Sequence, residues 1–233
     1  MNVLPDHGSR EEYRARQIAR SESKFRFCKV SSSDVAKYRT IILHSLRLRG
    51  KPHEGPILCL GTRNGREVDL FRLHFFGPRV LRLASRVFER RTHSFVSLLP
   101  PLEAVGRSEV EHLSRRSVVG VEINRRAERK DIWIDSFDQM PARWERTFGI
   151  LFSNSFDQSQ DPHKTAREWK RVARSGAYLI FCFAKDAPPT PTDPVGDLRL
   201  EDILDLFGGE LIYFRDGGSR NGYSEVILRF PDA

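Results

Sequence analysis

Four short stretches of this chain combine residue types that can hold a polar, partly aromatic ligand. In the first, ILCLGTRNGREV, an apolar run gives way to Gly61-Thr62-Arg63-Asn64-Gly65 and then to a helical pattern containing Glu67. A glycine turn between strand and helix brings backbone N–H groups and the positive end of the helix dipole toward one point, which suits an anionic or polar group. Gly61 is expected to permit the sharp turn and Gly65 a close approach of backbone to ligand; a plain tight turn also accounts for two glycines. In the second, VVGVEI, an apolar run ends in Glu122, followed by Ile123. A carboxylate at the C-terminal end of a parallel strand can accept both hydroxyls of a ribose. Charge-assisted hydrogen bonds of that kind contribute about 1.5–3 kcal/mol each. The third, WIDSFDQMP, sets Asp135, Ser136 and Phe137 just past another run: an acid to accept from an amino group and a ring to cover an aromatic base. The fourth, FGILFSNSFDQSQDP, ends an apolar run in Ser153, Asn154 and Ser155. Open sheets present their ligands with polar groups at this edge of a central strand.

Those stretches need a sheet to hold them. Apolar runs at 56–61, 117–122, 131–135, 149–153, 177–184, 210–215 and 224–230 read as strands. Helical spacing appears at 66–76, at 162–174 behind an Asp161 cap with Pro162 in the first turn, and at 200–206. Upstream, the charged segment 10–24 is helical at least in part. Ser31-Ser32-Ser33-Asp34 supplies capping chemistry for an amphipathic helix through Val35, Tyr38, Ile41, Ile42 and Leu46. Segment 50–55 (GKPHEG) reads as a loop, 187–197 (APPTPTDPVGD) as a surface loop and 216–222 as a hairpin connection. A basic amphipathic stretch at 79–91 sets Val80, Leu83, Ala84 and Val87 on one side and Arg79, Arg82, Arg86 and Arg90 on the other; its apolar side is expected to pack on the domain, ahead of a stretch that tracks a phosphate backbone or lies on an anionic membrane surface.

Composition narrows the classes. A chain of 233 residues, 39% hydrophobic and 30% charged, suits one domain with elaborations and has material for a core. The longest apolar run, 177–184, is far short of the ~20 residues that span a bilayer, and the N-terminus has no apolar signal core. Three cysteines at wide spacing, with no CxxC or HxxxH pair, speak against a zinc site or disulfide framework and for a reducing cytoplasm. Residues 1–130 carry 27 basic and 14 acidic groups, and 131–233 carry 12 and 17. That asymmetry fits an anionic partner on one face, or an arginine-rich solvated surface.

Taken in order, the four stretches resemble the class I S-adenosylmethionine-dependent methyltransferases, of the methyltransferase type 11-like kind, from about residue 56 to 230. GTRNG resembles that family's glycine loop, GVEI its ribose-binding acid and DSFDQMP its adenine-contacting loop. FGILFSNSFDQSQDPHKTAREWKRVARSGAYLIF is similar to its fourth strand, following helix and fifth strand. The resemblance implies an α/β fold: a Rossmann-like seven-stranded, mostly parallel sheet with an antiparallel last strand and helices on both faces. N-terminal helices over 1–55 would belong to a substrate lid, and the methyltransferase domain would occupy 56–233 with a helical insertion at about 77–116. It implies S-adenosyl-L-methionine as cofactor, held by Gly61, Thr62, Arg63, Asn64, Gly65, Glu67, Glu122, Ile123, Asp135, Ser136, Phe137, Ser153, Asn154 and Ser155.

The chain departs from the family pattern at Cys59, where an acid is usual, and at Arg63, where a glycine is usual. The path from Gly65 to Glu122 is also much longer than the usual ~20 residues. The dinucleotide fingerprint G-x-G-x-x-G is absent, which disfavours a nicotinamide cofactor. Asp157, Gln158 and His163 fall near the expected cofactor edge, and none is assigned as a base. The [DNS]PP[YFW] tetrapeptide of exocyclic base amine methylation is missing, since the strand ends in SNSF. A small or medium acceptor, a saccharide or another metabolite, is expected ahead of nucleic acid. An RNA methyltransferase using the basic half, and a non-catalytic protein that keeps the fold, are the alternatives.

Overall fold

Strands buried on both faces dictate a sheet covered by a layer on each side. The computed structural model describes residues 1–3, 9–25, 28–50, 55–92, 109–217 and 222–232, with the backbone alone for 86–92. Strands β2 (Ile57–Leu60), β3 (Val118–Glu122), β4 (Ile132–Ile134), β5 (Phe148–Ser153), β6 (Ala173–Ala184), β8 (Glu210–Arg215) and β9 (Tyr223–Arg229) form one sheet in the order β4-β3-β2-β5-β6-β9-β8. The first five run parallel, and β9 lies antiparallel between β6 and β8. Two short strands, β1 (Asn2–Val3) and β7 (Val195–Gly196), pair as a separate antiparallel ribbon. β7 falls inside the segment expected to be a plain surface loop.

Odd and even positions of the strands face two different layers, as the period of two requires. Ile57, Cys59, Ile150, Phe152, Tyr178 and Ile180 pack against α2 (Ser32–Leu48) and α3 (Arg66–Phe76) through Val35, Tyr38, Ile42, Val68 and Phe71. Leu58, Leu60, Val121, Leu151, Leu179 and Phe181 face α5 (Pro162–Val172) and α6 (Leu200–Phe207). Trp169, fully buried, anchors that second layer against the rings of Phe137, Phe156, Phe181 and Phe207. Burying one such side chain stabilises the fold by about 1.5–3 kcal/mol.

Several expectations need correction. The helix expected over 162–174 stops at Val172, because Arg146 and Thr147 donate their N–H groups to the carbonyls of Arg171 and Val172 and draw Ala173 into register with Phe148. Strict alternation of strands and helices also fails. The β3–β4 and β4–β5 connections carry only 3-10 turns, Arg125–Ala127 and Ala142–Trp144, rather than packed α-helices. On α4 (Arg79–Thr92), Val80 and Leu83 are exposed rather than packed on the domain, while Ser85 is buried. The side turned inward is the one on which Ser85 meets Ser32, itself hydrogen bonded to His74, so polar pairing sets the orientation of the helix. The side chains of Arg86, Val87 and Arg90 lie outside the described residues. So do 51–54 of the expected loop, 93–108 of the expected insertion and 218–221 of the expected hairpin.

Candidate functional site

Strand order reverses between β2 and β5, so their C-terminal ends open the crevice where such sheets hold ligands. β2 ends at Leu60, and Gly61 turns the chain with φ 75°. A side chain there would put its Cβ 2.7 Å from Ser155 Cβ, so glycine is required both for the turn and for the contact with β5. The loop then folds over the end of β3. Gly61 and Thr62 donate N–H groups to the Val121 carbonyl at 2.9 and 3.3 Å, and Gly65 donates to the Thr62 carbonyl at 3.0 Å. Arg63 takes a left-handed conformation, φ 51°, which aims its N–H at Glu122 Oε2, 2.7 Å away.

Glu122 is the centre of the arrangement. It is buried, and besides Arg63 its carboxylate accepts from the Asn124 N–H at 3.1 Å and from the Ser21 hydroxyl at 2.9 Å. Ser21 belongs to α1 (Arg10–Ser23), which starts in a capping box of Ser9 and Glu12 and lies across the C-terminal edge of the sheet. Tyr13, Gln17 and Ser21, one helical turn apart, are its buried residues. Tyr13 donates to the Gln158 carbonyl at 2.6 Å, Gln17 to the Thr192 carbonyl at 2.5 Å, and Arg20 pairs with Asp193. α1 is thus strapped to the β5 end and to the 187–197 segment by polar contacts. Beneath it remains a cavity of about 70 Å³, room for a few waters and far less than a nucleoside.

Of the residues singled out in the sequence, Gly61, Arg63, Glu122, Ile123, Asp135, Ser136 and Phe137 line that cavity. The others stand behind it. Thr62 is buried with its methyl against the Cβ position of Gly120. Asn64 accepts the Arg66 N–H, and Gly65 closes on Arg129 and Ile132 rather than on the cavity. Ser153 donates to the Leu60 carbonyl at 3.4 Å, and Ser155 donates to the Asn154 side-chain oxygen at 3.1 Å. Glu67 is buried beside Cys28, and burial pushes its carboxyl up to about 7 against the opposing pull of Cys28 and Arg63. The sequence reading did not single out the wall formed by Tyr13, Gln17, Arg20 and Ser21. Its signal was present: three uncharged polar residues spaced four apart on a helix otherwise dominated by charge.

A second group of ionisable side chains lies around the end of β5, next to the cavity-lining Gln158 and Ser159. Asp157 follows β5 in the 3-10 turn Phe156–Gln158, and Phe156 locks that turn into the core against Trp169, Phe181 and Phe207. Its Oδ1 is buried without a hydrogen-bond partner. Burial, reinforced by Asp193, pushes the carboxyl up to about 7, while Arg20, Lys29 and Arg63 pull the other way. Lys29 lies over the ring of Tyr223, and burial lowers its ammonium to about 8.

The strand order, with its reversed last strand and the loop–carboxylate pairing at Glu122, corresponds to one architecture. The chain has the class I S-adenosylmethionine-dependent methyltransferase fold. Among solved structures, a 1,6-didemethyltoxoflavin N1-methyltransferase of Burkholderia thailandensis, bound to that substrate and S-adenosylhomocysteine, is similar. The likeness has a TM-score of 0.54 at 12% identity, covering 99% of this chain and 94% of that one. The N-methyltransferase NodS of Bradyrhizobium japonicum, in complex with S-adenosylhomocysteine, gives 0.54 at 10% identity over 93% and 99%. The [4+2]-cyclase SpnF gives 0.53 at 12% over the whole of both chains. No family model and no curated protein matches the sequence. A methyltransferase fold that also appears in a cyclase fixes the scaffold, and the reaction has to be argued from the site. Among the described residues no helix is long and apolar enough to cross a membrane.

Proposed function

We propose that this protein is an S-adenosylmethionine-dependent methyltransferase acting on a small or medium acceptor, a saccharide or another metabolite. The observation that carries the reading is Glu122: a buried carboxylate at the C-terminal end of β3, held by the glycine loop and facing a cavity lined by Ile123, Asp135, Ser136 and Phe137. The donor set suits the nucleoside end of the cofactor. A carboxylate has about four acceptor positions. Two are filled here by backbone N–H groups and one by the Ser21 hydroxyl, an alcohol standing where a ribose alcohol would bind. Phe137 and Ile123 supply apolar surface for a flat base, and Asp135 a carboxylate for its amino group. The cofactor supplies a methyl group already activated on a sulfonium, so the chain's task is orientation, worth effective molarities of ~10⁵–10⁸ M.

Space for the ligand comes from α1, read here as part of a lid over the site. The straps of Tyr13, Gln17, Arg20 and Ser21 are individually modest polar contacts, each worth about 0.5–1.5 kcal/mol net. The position of α1 over the C-terminal edge of the sheet favours a small acceptor over a nucleic-acid strand, which needs an open basic groove. The acceptors named for the toxoflavin enzyme and the N-methyltransferase activity of NodS belong to those proteins and agree in kind. A second reading, a non-catalytic protein on the same fold, is favoured by Arg63, whose side chain stands where the family pattern has a glycine. Incubation with methyl-labelled cofactor and a fractionated cell extract separates the readings. Label in the small-molecule fraction supports the proposal, label in RNA alone overturns the acceptor class, and label in no fraction moves the non-catalytic reading ahead.

A further inference from the structure

The cavity beneath α1 accounts for Glu122 but not for the ionisable group beside it. Asp157 sits at the end of central strand β5, and its neighbours Gln158 and Ser159 line the cavity. Side chains of four elements act on its carboxyl electrostatically: Arg20 and Tyr13 of α1, Lys29 of the segment before α2, Arg63 of the glycine loop, and Asp193 of the segment before β7. Arg20 is committed to Asp193. Lys29 rests on the Tyr223 ring and has no carboxylate within ion-pair distance among the described residues. The turn carrying Asp157 is held by an aromatic core on one side and by Tyr13 on the other. A carboxyl oxygen so fixed, shielded from water and unbonded is costly unless another group reaches it.

We propose that Asp157 is the catalytic base of the transfer, so that the acceptor atom is the oxygen of an alcohol or phenol, or the nitrogen of an amine, still carrying its proton. The proposal rests on the methyltransferase reading above. In the step it describes, the acceptor heteroatom forms a bond to the methyl carbon as the carbon–sulfur bond breaks. The bonding pair leaves on sulfur, which becomes a neutral thioether, and Asp157 Oδ1 takes the acceptor's proton. Charge balances: a sulfonium and a carboxylate become a thioether and a carboxylic acid. A carboxyl poised near neutrality is suited to that exchange, being ionised at the working pH yet basic enough to receive a proton. Lys29, set against the ring of Tyr223, is a positioning residue whose charge favours the ionised form of Asp157.

The test combines a titration, a binding measurement and a rate. Carbon-13 NMR of the full chain labelled at aspartate carboxyls, with the signal assigned through Asp157→Asn, should show Asp157 titrating near pH 7. Lys29→Met should move that midpoint upward. Calorimetry with S-adenosylhomocysteine should give Asp157→Asn the wild-type affinity within threefold. Methyl transfer to the small-molecule fraction should rise with pH through 7 in the wild type, fall at least 100-fold in Asp157→Asn and recover in part in Asp157→Glu. Titration in the ordinary carboxylate range, or transfer by Asp157→Asn at the wild-type rate, overturns the proposal alone. A wild-type protein that binds no S-adenosylhomocysteine removes the methyltransferase reading, and this proposal with it.

Discussion

The Ser21 hydroxyl, on the N-terminal helix, donates a 2.9 Å hydrogen bond to Glu122 Oε1 at the end of a central strand 101 residues away. In the proposed binding mode a ribose hydroxyl would take the place of Ser21 at that oxygen, so that helix and ligand would compete for one acceptor. Ser21→Ala removes the competitor without touching the carboxylate. Given a net hydrogen-bond contribution of about 0.5–1.5 kcal/mol, calorimetry is expected to show S-adenosylhomocysteine binding roughly 2- to 10-fold more tightly. Unchanged affinity would mean that Ser21 and the ligand occupy Glu122 together.

Asp157 also sets a pH dependence of stability. Its carboxyl is raised in the folded protein, from an ordinary value near 4 to about 7. Between those limits the folded state binds the proton and the unfolded state does not, so stability falls as pH rises from about 4 to 7. Replacement by asparagine removes that loss. Thermal unfolding of Asp157→Asn should be close to wild type at pH 4 and higher by several degrees at pH 8, corresponding to on the order of 3 kcal/mol. Equal melting temperatures at both pH values would show that the carboxylate is accommodated without penalty.

Gly61 offers a structural check on the crevice. Alanine there must hold φ near 75° and bring its Cβ to 2.7 Å from Ser155. Left-handed strain of about 1–2 kcal/mol and the contact add, so Gly61→Ala should lower the melting temperature by about 4–10 °C. Gly61→Ala combined with Ser155→Gly relieves the contact but not the strain, and should recover part of the loss. No recovery would place the damage in the turn alone.

The seven strands, the Ser31 and Asp161 caps and the Glu122 position were legible in sequence because each rests on local chemistry. Burial on both faces of β5 and β6 leaves continuous apolar runs, and a capping side chain sits within three residues of the N–H it accepts. Long-range polar contacts were not legible. Arg129 binds Asp69 and Asp131, and Arg72 joins the same buried Asp131, tying α3 to the approach to β4; spacing in the chain says nothing of that network. It also absorbs part of the basic excess that suggested an anionic partner. The outward Val80 and Leu83 follow from the same blindness, since the buried Ser85–Ser32 contact, extended through Ser32 to His74, turns α4 against its apolar pattern. At the site, the polar stripe of α1 was visible as a pattern but not as a roof, because its partners lie 101 to 175 residues away.

The central claim is that Glu122 holds the ribose of S-adenosylmethionine. Calorimetric titration of the full chain with that cofactor, beside Glu122→Ala and Glu122→Gln variants checked for folding by circular dichroism, tests it most directly. Loss of charge-assisted hydrogen bonds worth about 1.5–3 kcal/mol each should weaken a micromolar wild-type affinity at least 10-fold in Glu122→Ala and less in Glu122→Gln. Folded wild-type protein that binds no cofactor, or binding that both substitutions leave unchanged, would contradict the account.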